Sequence, residues 1–257
     1  MKYGRLIRFI ALILSLIMLM PFCALAEDEA AEPEAVAEGS DGENSARDEF
    51  IDDIIALAEQ KYTDANGRAQ RAQYAGDIYI CRNFVTYLFT SNADKYRMQE
   101  YPDVPLKIPA NKKATTKPKY GSGVMWQDVP ASDGNPFYAA AQFLYDPTLS
   151  KKENRENARE FLTQVKRGDF GQMNVSYYYG SGPHSLIFIA DYDEENDTVT
   201  WTDSNMPGER RNGIRYGYVQ YDITKEIEFF IDAFCRPQRG ATLYRLRDDI
   251  IKAEDAE

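Results

Sequence analysis

Hydrophobic residues in three segments before Gly168 recur at the spacing of an α-helix. In Asp48–Gln60, Asp77–Phe89 and Lys151–Val165, apolar side chains follow the i, i+3, i+4 pattern, while charged and polar side chains fill the other positions. This pattern predicts three amphipathic helices, each with one face toward a core. The second of them is predicted to begin at or just before Cys81.

From Gly168 onward the hydrophobic period shortens. Short runs rich in β-branched and aromatic residues alternate with clusters of Asp, Asn, Gly and Glu, which predicts strands joined by turns. The predicted strands are Asp169–Val175, Ser185–Asp191, Thr198–Asp203, Ile214–Val219 and Ala241–Arg247. One more helix is predicted at Ile223–Phe234. Helices followed by strands indicate an α+β fold in which N-terminal helices pack on a C-terminal antiparallel sheet.

The stretch between the second and third helices has no clear period. Arg97–Pro147 holds seven of the twelve prolines of the chain. We therefore predict that most of Arg97–Pro147 is irregular, with a short helix at Pro136–Leu144, and that this stretch belongs to an insertion at about residues 97–166. Long segments of this kind commonly serve as lids or binding surfaces.

The N-terminus has the pattern of a secretory signal. Lys2, Arg5 and Arg8 precede the apolar run Phe9–Met20, and the small-x-small sequence Ala24–Ala26 follows. The run is short for a membrane span, so residues 1–26 are predicted to be a cleaved signal peptide. This predicts a secreted, extracellular or cell-wall protein with no stable membrane insertion after cleavage. An uncleaved signal anchor is the alternative.

The remaining boundaries follow from composition. Residues 27–45 are rich in Ala, Glu, Gly, Asp and Ser and are predicted to be a disordered acidic linker, because they cannot bury enough apolar surface to offset the entropy of ordering. Residues 46–250 are predicted to form one domain, and residues 251–257 a disordered acidic tail.

Charge excludes one class of partner. Removal of residues 1–26 takes away three of the 30 Lys and Arg residues and none of the 41 Asp and Glu residues, which leaves a net charge near −14. Nucleic-acid affinity depends on Lys and Arg that neutralise phosphates. The mature chain is therefore not expected to bind nucleic acid.

Candidate chemistry is concentrated in very few residues. The mature part holds one histidine, His184, and two cysteines, Cys81 and Cys235. A helix N-terminus and a neighbouring imidazolium both favour the thiolate form of a cysteine. Cys81 opens a predicted helix, and His184 is expected at an edge, at the head of an apolar strand. The alternatives are that Cys81 is only a buried apolar residue, or that it forms a disulfide with Cys235.

A third polar residue is expected where the next strand ends. In a hairpin, a residue about twenty positions after His184 returns to its side, and a carboxylate or amide there would hold the ring. Asp203 and Asn205 both qualify, and strand alternation places them on the same face. The sequence does not choose between them, and the alternative is that they only form a turn.

Four short motifs resemble one superfamily. Cys81–Val85 is similar to the Cys-x-x-Phe/Tyr-Val helix start of the NlpC-like and CHAP cell-wall hydrolases, which have a minimal papain-like fold. Lys166–Phe170 resembles their Pro-Gly-Asp strand start, with Arg167 where proline is usual. Gly182–Ile187 resembles their Gly-His strand, with a proline inserted before the histidine. Asp203–Asn205 matches a Glu-x-Asn pattern in spacing.

The resemblance covers about Asp48–Phe89 and Arg167–Asn205 and leaves the insertion unexplained. The small residue pair that commonly follows the cysteine is replaced by Arg82 and Asn83, and an arginine beside the nucleophile could narrow or block the site.

The resemblance implies a cysteine peptidase or amidase that acts on a peptide or amide bond in peptidoglycan. Cys81 would attack the carbonyl, with its own backbone N–H in the oxyanion hole. His184 would act as base and then acid, and Asp203 or Asn205 would orient the ring. Arg82, Tyr79 and Tyr179 are expected to contact substrate. Five tyrosines are candidates to line a groove for peptide or sugar, and the alternative is that they only cover a sheet: Tyr74, Tyr79, Tyr177, Tyr178 and Tyr179.

No cofactor is implied, and one histidine without a Cys-x-x-Cys pair leaves no predicted zinc site. Two other functions fit the same residues. The first is a non-catalytic exported binding module in which Cys81 is buried or bonded to Cys235. The second is acyl transfer to an acceptor other than water. The oligomeric state stays open.

Overall fold

An eight-stranded antiparallel sheet runs through the part of the chain that the computed structural model describes, which is residues 45–112, 126–174, 182–206 and 208–256. The strands are β1 (Gln70–Arg71), β2 (Tyr96–Met98), β3 (Phe137–Leu144), β4 (Phe170–Met173), β5 (His184–Phe188), β6 (Thr198–Met206), β7 (Arg210–Arg211), β8 (Ile214–Glu226), β9 (Gly240–Leu246) and β10 (Ile250–Lys252). The sheet order is β1-β8-β6-β5-β4-β9-β3, with β7 on β8. Strands β10 and β2 form a separate two-stranded sheet.

Four α-helices lie among the described residues, and they differ in how they begin. They are α1 (Ala46–Ala65), α2 (Cys81–Thr90), α3 (Lys151–Leu162) and α4 (Glu228–Phe234). Ser45 caps α1 by accepting from the Asp48 N–H, and Ser150 with Glu153 forms a capping box on α3. Ile80 at the start of α2 supplies no side-chain cap. The first N–H groups of α2 therefore stay open to another acceptor.

Helices cover both faces of the sheet. Side chains of α1 and α2, among them Phe84 and Leu88, pack with Phe170 and Ile187 in one apolar cluster. Side chains of α3 and α4 pack in a second cluster around Trp201. Each fully buried residue of this size contributes about 1.5–3 kcal/mol to stability. The described residues belong to one compact unit with three layers.

The α+β prediction is confirmed, and the N-terminal helices do pack on an antiparallel sheet. The predicted helix at Pro136–Leu144 is wrong. This segment is β3, which pairs with β9 from Phe137–Leu246 to Leu144–Gly240 and closes one edge of the sheet. Its three consecutive alanines favour a helix, but pairing with a strand about a hundred residues later overrides that local preference.

The predicted helix at Lys151–Val165 corresponds to α3, and the stretch Arg97–Pro147 contains one long strand, β3. Two boundary predictions are also wrong. The predicted helix at Ile223–Phe234 begins only at Glu228, since β8 continues to Glu226. The tail is ordered as far as residue 256: β10 pairs with β2, and Lys252 forms an ion pair with Glu49. Residues 1–26 and residues 27–44 of the predicted linker lie outside the described residues.

The Gly-Asp pair at the start of β4 fixes the strand beside β5. Gly168 has a left-handed φ of 87°, and a Cβ at this position would lie 2.7 Å from the Ile51 side chain. Asp169 accepts two hydrogen bonds from Arg245, both of 2.8 Å, and a third from the Lys166 N–H. Because Asp169 is fully buried, these contacts anchor β4 to the core.

Candidate active site

The Cys81 thiol lies at the uncapped N-terminus of α2. Its Sγ accepts hydrogen bonds from the backbone N–H groups of Arg82 and Ser185, and it lies 4.0 Å from the Pro183 carbonyl oxygen. A thiolate at this position is stabilised by the open N–H groups and by the positive end of the helix dipole. The structure thus joins the start of α2 to the start of β5.

A gap between β5 and β6 makes room for the sulfur. The N–H of Ile189 donates to Thr200 in β6, so by strand alternation the N–H of Ser185 points toward β6 as well. The described pairing of β5 with β6 begins one residue later, at Leu186–Asp203. The register of β6 shifts beyond Asp203, and Asn205 has a left-handed φ of 70°. Ser185 therefore donates to the Cys81 sulfur.

His184 and Asp203 form the second half of the site. Asp203 lies opposite Leu186, so its side chain shares a face of the sheet with His184, two residues away. The His184 Nε2 and the Asp203 Oδ2 are 2.9 Å apart, and the Trp201 Nε1–H donates to the same oxygen at 3.3 Å. With Nε2 engaged by Asp203, Nδ1 is the ring nitrogen left for the Cys81 thiol.

The protonation of the pair follows from its contacts. Burial raises the pKa of the Cys81 thiol, but its hydrogen bond and charge attraction to His184 outweigh burial, and the net pKa is lowered. Burial lowers the pKa of His184, but hydrogen bonds to Asp203 and then Cys81 outweigh it, and the net pKa is raised. The two opposite shifts favour a thiolate–imidazolium pair over a neutral thiol and a neutral imidazole.

The site is more enclosed than the sequence suggests. The exposed fractions are 7% for Cys81, 3% for His184 and 0% for Asp203. The expectation that His184 lies at an edge is therefore wrong, since the ring is buried at the head of a central strand. Low exposure strengthens each electrostatic contact in the site because water screens it less.

The alternative of a Cys81–Cys235 disulfide is contradicted by the structure. Both thiols are free. Cys81 belongs to α2 on one face of the sheet, and Cys235 follows α4 on the opposite face, where its thiol donates to the Asn154 carbonyl at 3.4 Å. The sheet separates the two sulfurs, so they cannot meet without rearranging the core.

The other predicted residues fall into three groups. Asn205 lies beyond the register shift that follows Asp203 in β6. It packs against Gly217, and a Cβ added to Gly217 would lie 2.6 Å from the Asn205 Cα. The Arg82 side chain is exposed at the start of α2. Tyr177, Tyr178 and Tyr179 lie outside the described residues.

Tyr79 is half-buried and lines a cavity of about 520 Å³ beside the segment that leads to Cys81. Its carbonyl oxygen accepts a 2.8 Å hydrogen bond from Ser204, which ties this segment to β6. Asp77, which also lines the cavity, bonds Arg71 and the N–H groups of Gln73 and Tyr74. These hydrogen bonds, the one to Arg71 first, lower the pKa of Asp77 to about 2.

Two residues near the site were missed from the sequence. Trp201 holds the carboxylate of Asp203, and its position two residues earlier on the same strand face was a usable signal. Gln172 is a polar residue inside β4, with an exposed fraction of 2%, and its Oε1 accepts a 2.7 Å hydrogen bond from Ser185. No pattern in the sequence pairs Gln172 with Ser185, because that contact depends on sheet register.

Within the described ranges, no group of three or more His, Cys, Asp or Glu side chains is arranged to hold a metal ion. None of the helices in those ranges is long and apolar enough to cross a membrane. Comparison with known proteins found no matching family model, curated sequence or solved structure. The fold and site define an α+β protein with a buried, hydrogen-bonded Cys–His–Asp series.

Proposed function

We propose that this protein is an exported cysteine hydrolase that cleaves a peptide or amide bond in peptidoglycan and belongs to the CHAP and NlpC-like superfamily with a papain-like core. The observation that carries the proposal is the hydrogen-bonded series of Cys81, His184 and Asp203 at an uncapped helix N-terminus. The order of these residues along the chain agrees with the resemblance in the sequence. Export rests on the N-terminal signal pattern alone.

The mechanism follows from the protonation of the pair. The Cys81 thiolate attacks the substrate carbonyl carbon, and the developing oxyanion accepts the Cys81 backbone N–H. The His184 imidazolium then gives its proton to the leaving amine. In the second half, neutral His184 takes a proton from water, which attacks the acyl-enzyme and releases the acid. Asp203 holds the ring and stabilises its charged form.

One observation favours a second function, a non-catalytic binding module. Cys81 is only 7% exposed, and a nucleophile must contact the carbonyl carbon that it attacks. In such a module, Cys81, His184 and Asp203 would form a buried polar network that stabilises the packing of α2 on the sheet. Transfer of the acyl group to an acceptor other than water uses the same three residues and is distinguished by product analysis.

Alkylation of the two thiols in one protein tests the proposal. The mature chain is treated with iodoacetamide from pH 5 to 10 without reductant, and labelling of each cysteine is followed by mass spectrometry. Cys235 is the internal reference, because burial raises its pKa to about 11. We expect Cys81 to react near neutral pH faster than Cys235, and its excess rate to be lost in His184→Ala. Equal slow labelling of both thiols would favour the binding module.

If Cys81 reacts selectively, the protein is then incubated with purified peptidoglycan. New amino and carboxyl ends in the soluble fraction are expected with the parent protein and not with Cys81→Ser. An active thiol without new ends would retain the cysteine chemistry and reject peptidoglycan as the substrate.

A further inference from the structure

A row of polar side chains crosses the sheet next to the site. Ser185 in β5 lies opposite Gln172 in β4, which lies opposite Thr242 in β9, which lies opposite Gln142 in β3. Ser185, Gln172 and Thr242 are all at most 3% exposed. Each costs free energy to bury unless its polar atoms are hydrogen-bonded. A polar row in an otherwise apolar sheet therefore needs an explanation.

The row lies on the face of the sheet that carries Cys81. Phe170 and Ile187, which precede and follow Gln172 and Ser185 by two positions, pack in the cluster that contains α2. By strand alternation, Gln172 and Ser185 point to that same face. Gln172 and Ser185 form the pair that lies closer to the N-terminal end of β5 than the pair of Phe170 and Ile187. At this end of β5, Ser185 contacts the Cys81 sulfur. The row thus extends sideways from the nucleophile, across β4 and β9.

Most hydrogen-bonding capacity in the row is used. Ser185 donates to Gln172 Oε1 at 2.7 Å, and the Gln142 amide donates to Thr242 Oγ1 at 3.0 Å. The Gln172 side chain has an exposed fraction of only 2%. Nevertheless, its Nε2 has no hydrogen-bond acceptor within the described part of the chain. An unmade bond of this kind costs about 1–3 kcal/mol.

We propose that Gln172 is a substrate-binding residue whose side-chain N–H donates to a carbonyl oxygen of a peptide substrate, one or two residues from the bond that Cys81 attacks. This inference rests on the proposed cysteine hydrolase function. Because the Gln172 side chain is buried, a hydrogen bond from Nε2 to a ligand would form with little competition from water.

Distance decides between this role and an oxyanion-hole role. The sulfur lies on the β6 side of β5, whereas Gln172 lies on the opposite side, and neighbouring strands are about 4.8 Å apart. The attacked carbonyl must lie roughly 3–3.5 Å from the sulfur. We therefore assign Gln172 to a neighbouring carbonyl and the Cys81 backbone N–H to the attacked one. An extended peptide advances about 3.3 Å per residue, which brings a neighbouring carbonyl within reach.

Binding to an inactivated enzyme tests the inference. Affinities for soluble peptidoglycan stem peptides are measured by calorimetry with Cys81→Ser, alone and combined with Gln172→Met or Gln172→Glu. Methionine removes the amide. Glutamate keeps the acceptor for Ser185 and removes the N–H donor when it is ionised. Gln142→Glu is the matched control, because the Gln142 amide already donates to Thr242. Thermal unfolding checks that each variant is folded.

We expect Gln172→Met to weaken binding about three- to tenfold at every pH, the loss of one neutral hydrogen bond. Gln172→Glu should weaken it at least as much at high pH and recover as the pH falls and the carboxyl regains a proton. Thermal unfolding of Gln172→Glu at each pH separates this recovery from a structural effect of the buried charge. Gln142→Glu should bind like the parent.

Unchanged binding in both Gln172 variants would overturn the inference, and so would an equal loss in Gln142→Glu. If the parent binds no stem peptide, the inference also fails. Selective alkylation of Cys81 would still show in that case whether the proposed thiol chemistry stands.

Discussion

Cys81 and Cys235 lie at opposite ends of their respective helices. Cys81 begins α2, whereas Cys235 directly follows the last residue of α4. Burial acts on both thiols in the same direction and raises their pKa values. The net result is nevertheless opposite, since the pKa of Cys81 is lowered and that of Cys235 is raised to about 11.

The neighbours of each sulfur account for the difference. Cys81 accepts backbone N–H groups and contacts the His184 ring. Cys235 donates to a carbonyl, and burial is the largest cause of its raised pKa. The charge of Arg155 lowers this pKa, and the charges of Asp232 and Glu228 raise it. A helix N-terminus favours an anion and a C-terminus disfavours it. A buried thiol therefore becomes a nucleophile through its partners, and burial alone makes it inert.

The largest expected effect is the loss of hydrolysis on removal of one thiol and not the other. Cys81→Ala should lower the rate of peptidoglycan cleavage on the order of 10³-fold or more, because no other group can form the acyl intermediate. Cys235→Ala should retain the rate within about twofold. Release of soluble fragments measures both variants. Equal activity of the two variants would show that the different environments of Cys81 and Cys235 play no part in catalysis.

The second prediction concerns the thiolate. In His184→Ala, burial still raises the pKa of Cys81, but the hydrogen bond and charge of His184 that lower it are lost. The pKa of the thiol should therefore move from below to above the ordinary cysteine value. Below its pKa, a thiol loses about tenfold in thiolate per unit of upward shift. Alkylation of Cys81 at pH 7 should therefore fall by tenfold or more. The rate at Cys235 in the same samples should not change.

Much of this comparison was predictable from the sequence. The 3.6-residue period identified α1, α2 and α3, and it placed Cys81 at a helix start. Because the sequence contains one histidine, His184 was the only candidate imidazole. The shorter period located the strands that carry His184 and Asp203. These are local patterns, and each can be read within about fifteen residues of the chain.

The rest depends on contacts between distant segments. Whether Ala139–Ala141 is helix or strand was decided by β9, and the covering of the second sheet face by α3 and α4 has no local signature. The choice of Asp203 over Asn205 as the partner of Nε2 follows from a register shift in β6 and the positive φ of Asn205, which break strand alternation. The burial of His184 follows from the central position of β5.

The third prediction distinguishes Asp203 from Asn205 as the residue that orients the His184 ring. Asp203→Asn keeps the shape of the side chain but removes the charge that raises the pKa of His184, so the imidazolium and with it the thiolate are less stable. We expect roughly a hundredfold loss of hydrolysis, less than for loss of the nucleophile. Asn205→Gly is the matched control, because glycine accepts the left-handed backbone. It should change the rate by less than about threefold, and a larger loss than in Asp203→Asn would reverse the assignment.

The smallest effect is on the pH dependence of stability. The lowered pKa of Cys81 and the raised pKa of His184, about 10, widen the pH range in which the folded pair holds one proton. The unfolded chain also holds one proton between about pH 6.5 and 8.5, where histidine is neutral and cysteine is a thiol. Where the two ranges overlap, the pair should contribute no slope to the free energy of unfolding. Above about pH 8.5 the unfolded thiol loses its proton, and stability is lost as the pH rises toward the raised pKa of His184.

In Cys81→Ala, the hydrogen bond and charge of Asp203 still act to raise the pKa of His184, and no thiolate lies beside the ring. The folded state then binds one proton more than the unfolded state as soon as the pH passes about 6.5, so stability should begin to fall there, about two pH units earlier than in the parent. Urea unfolding from pH 5 to 9.5 measures the onset. Cys235→Ala should leave the onset in place and only reduce the slope above about pH 8.5, because the folded Cys235 thiol keeps its proton up to about pH 11. An onset that is the same in Cys81→Ala and the parent would mean that the thiol and the imidazole do not share a proton.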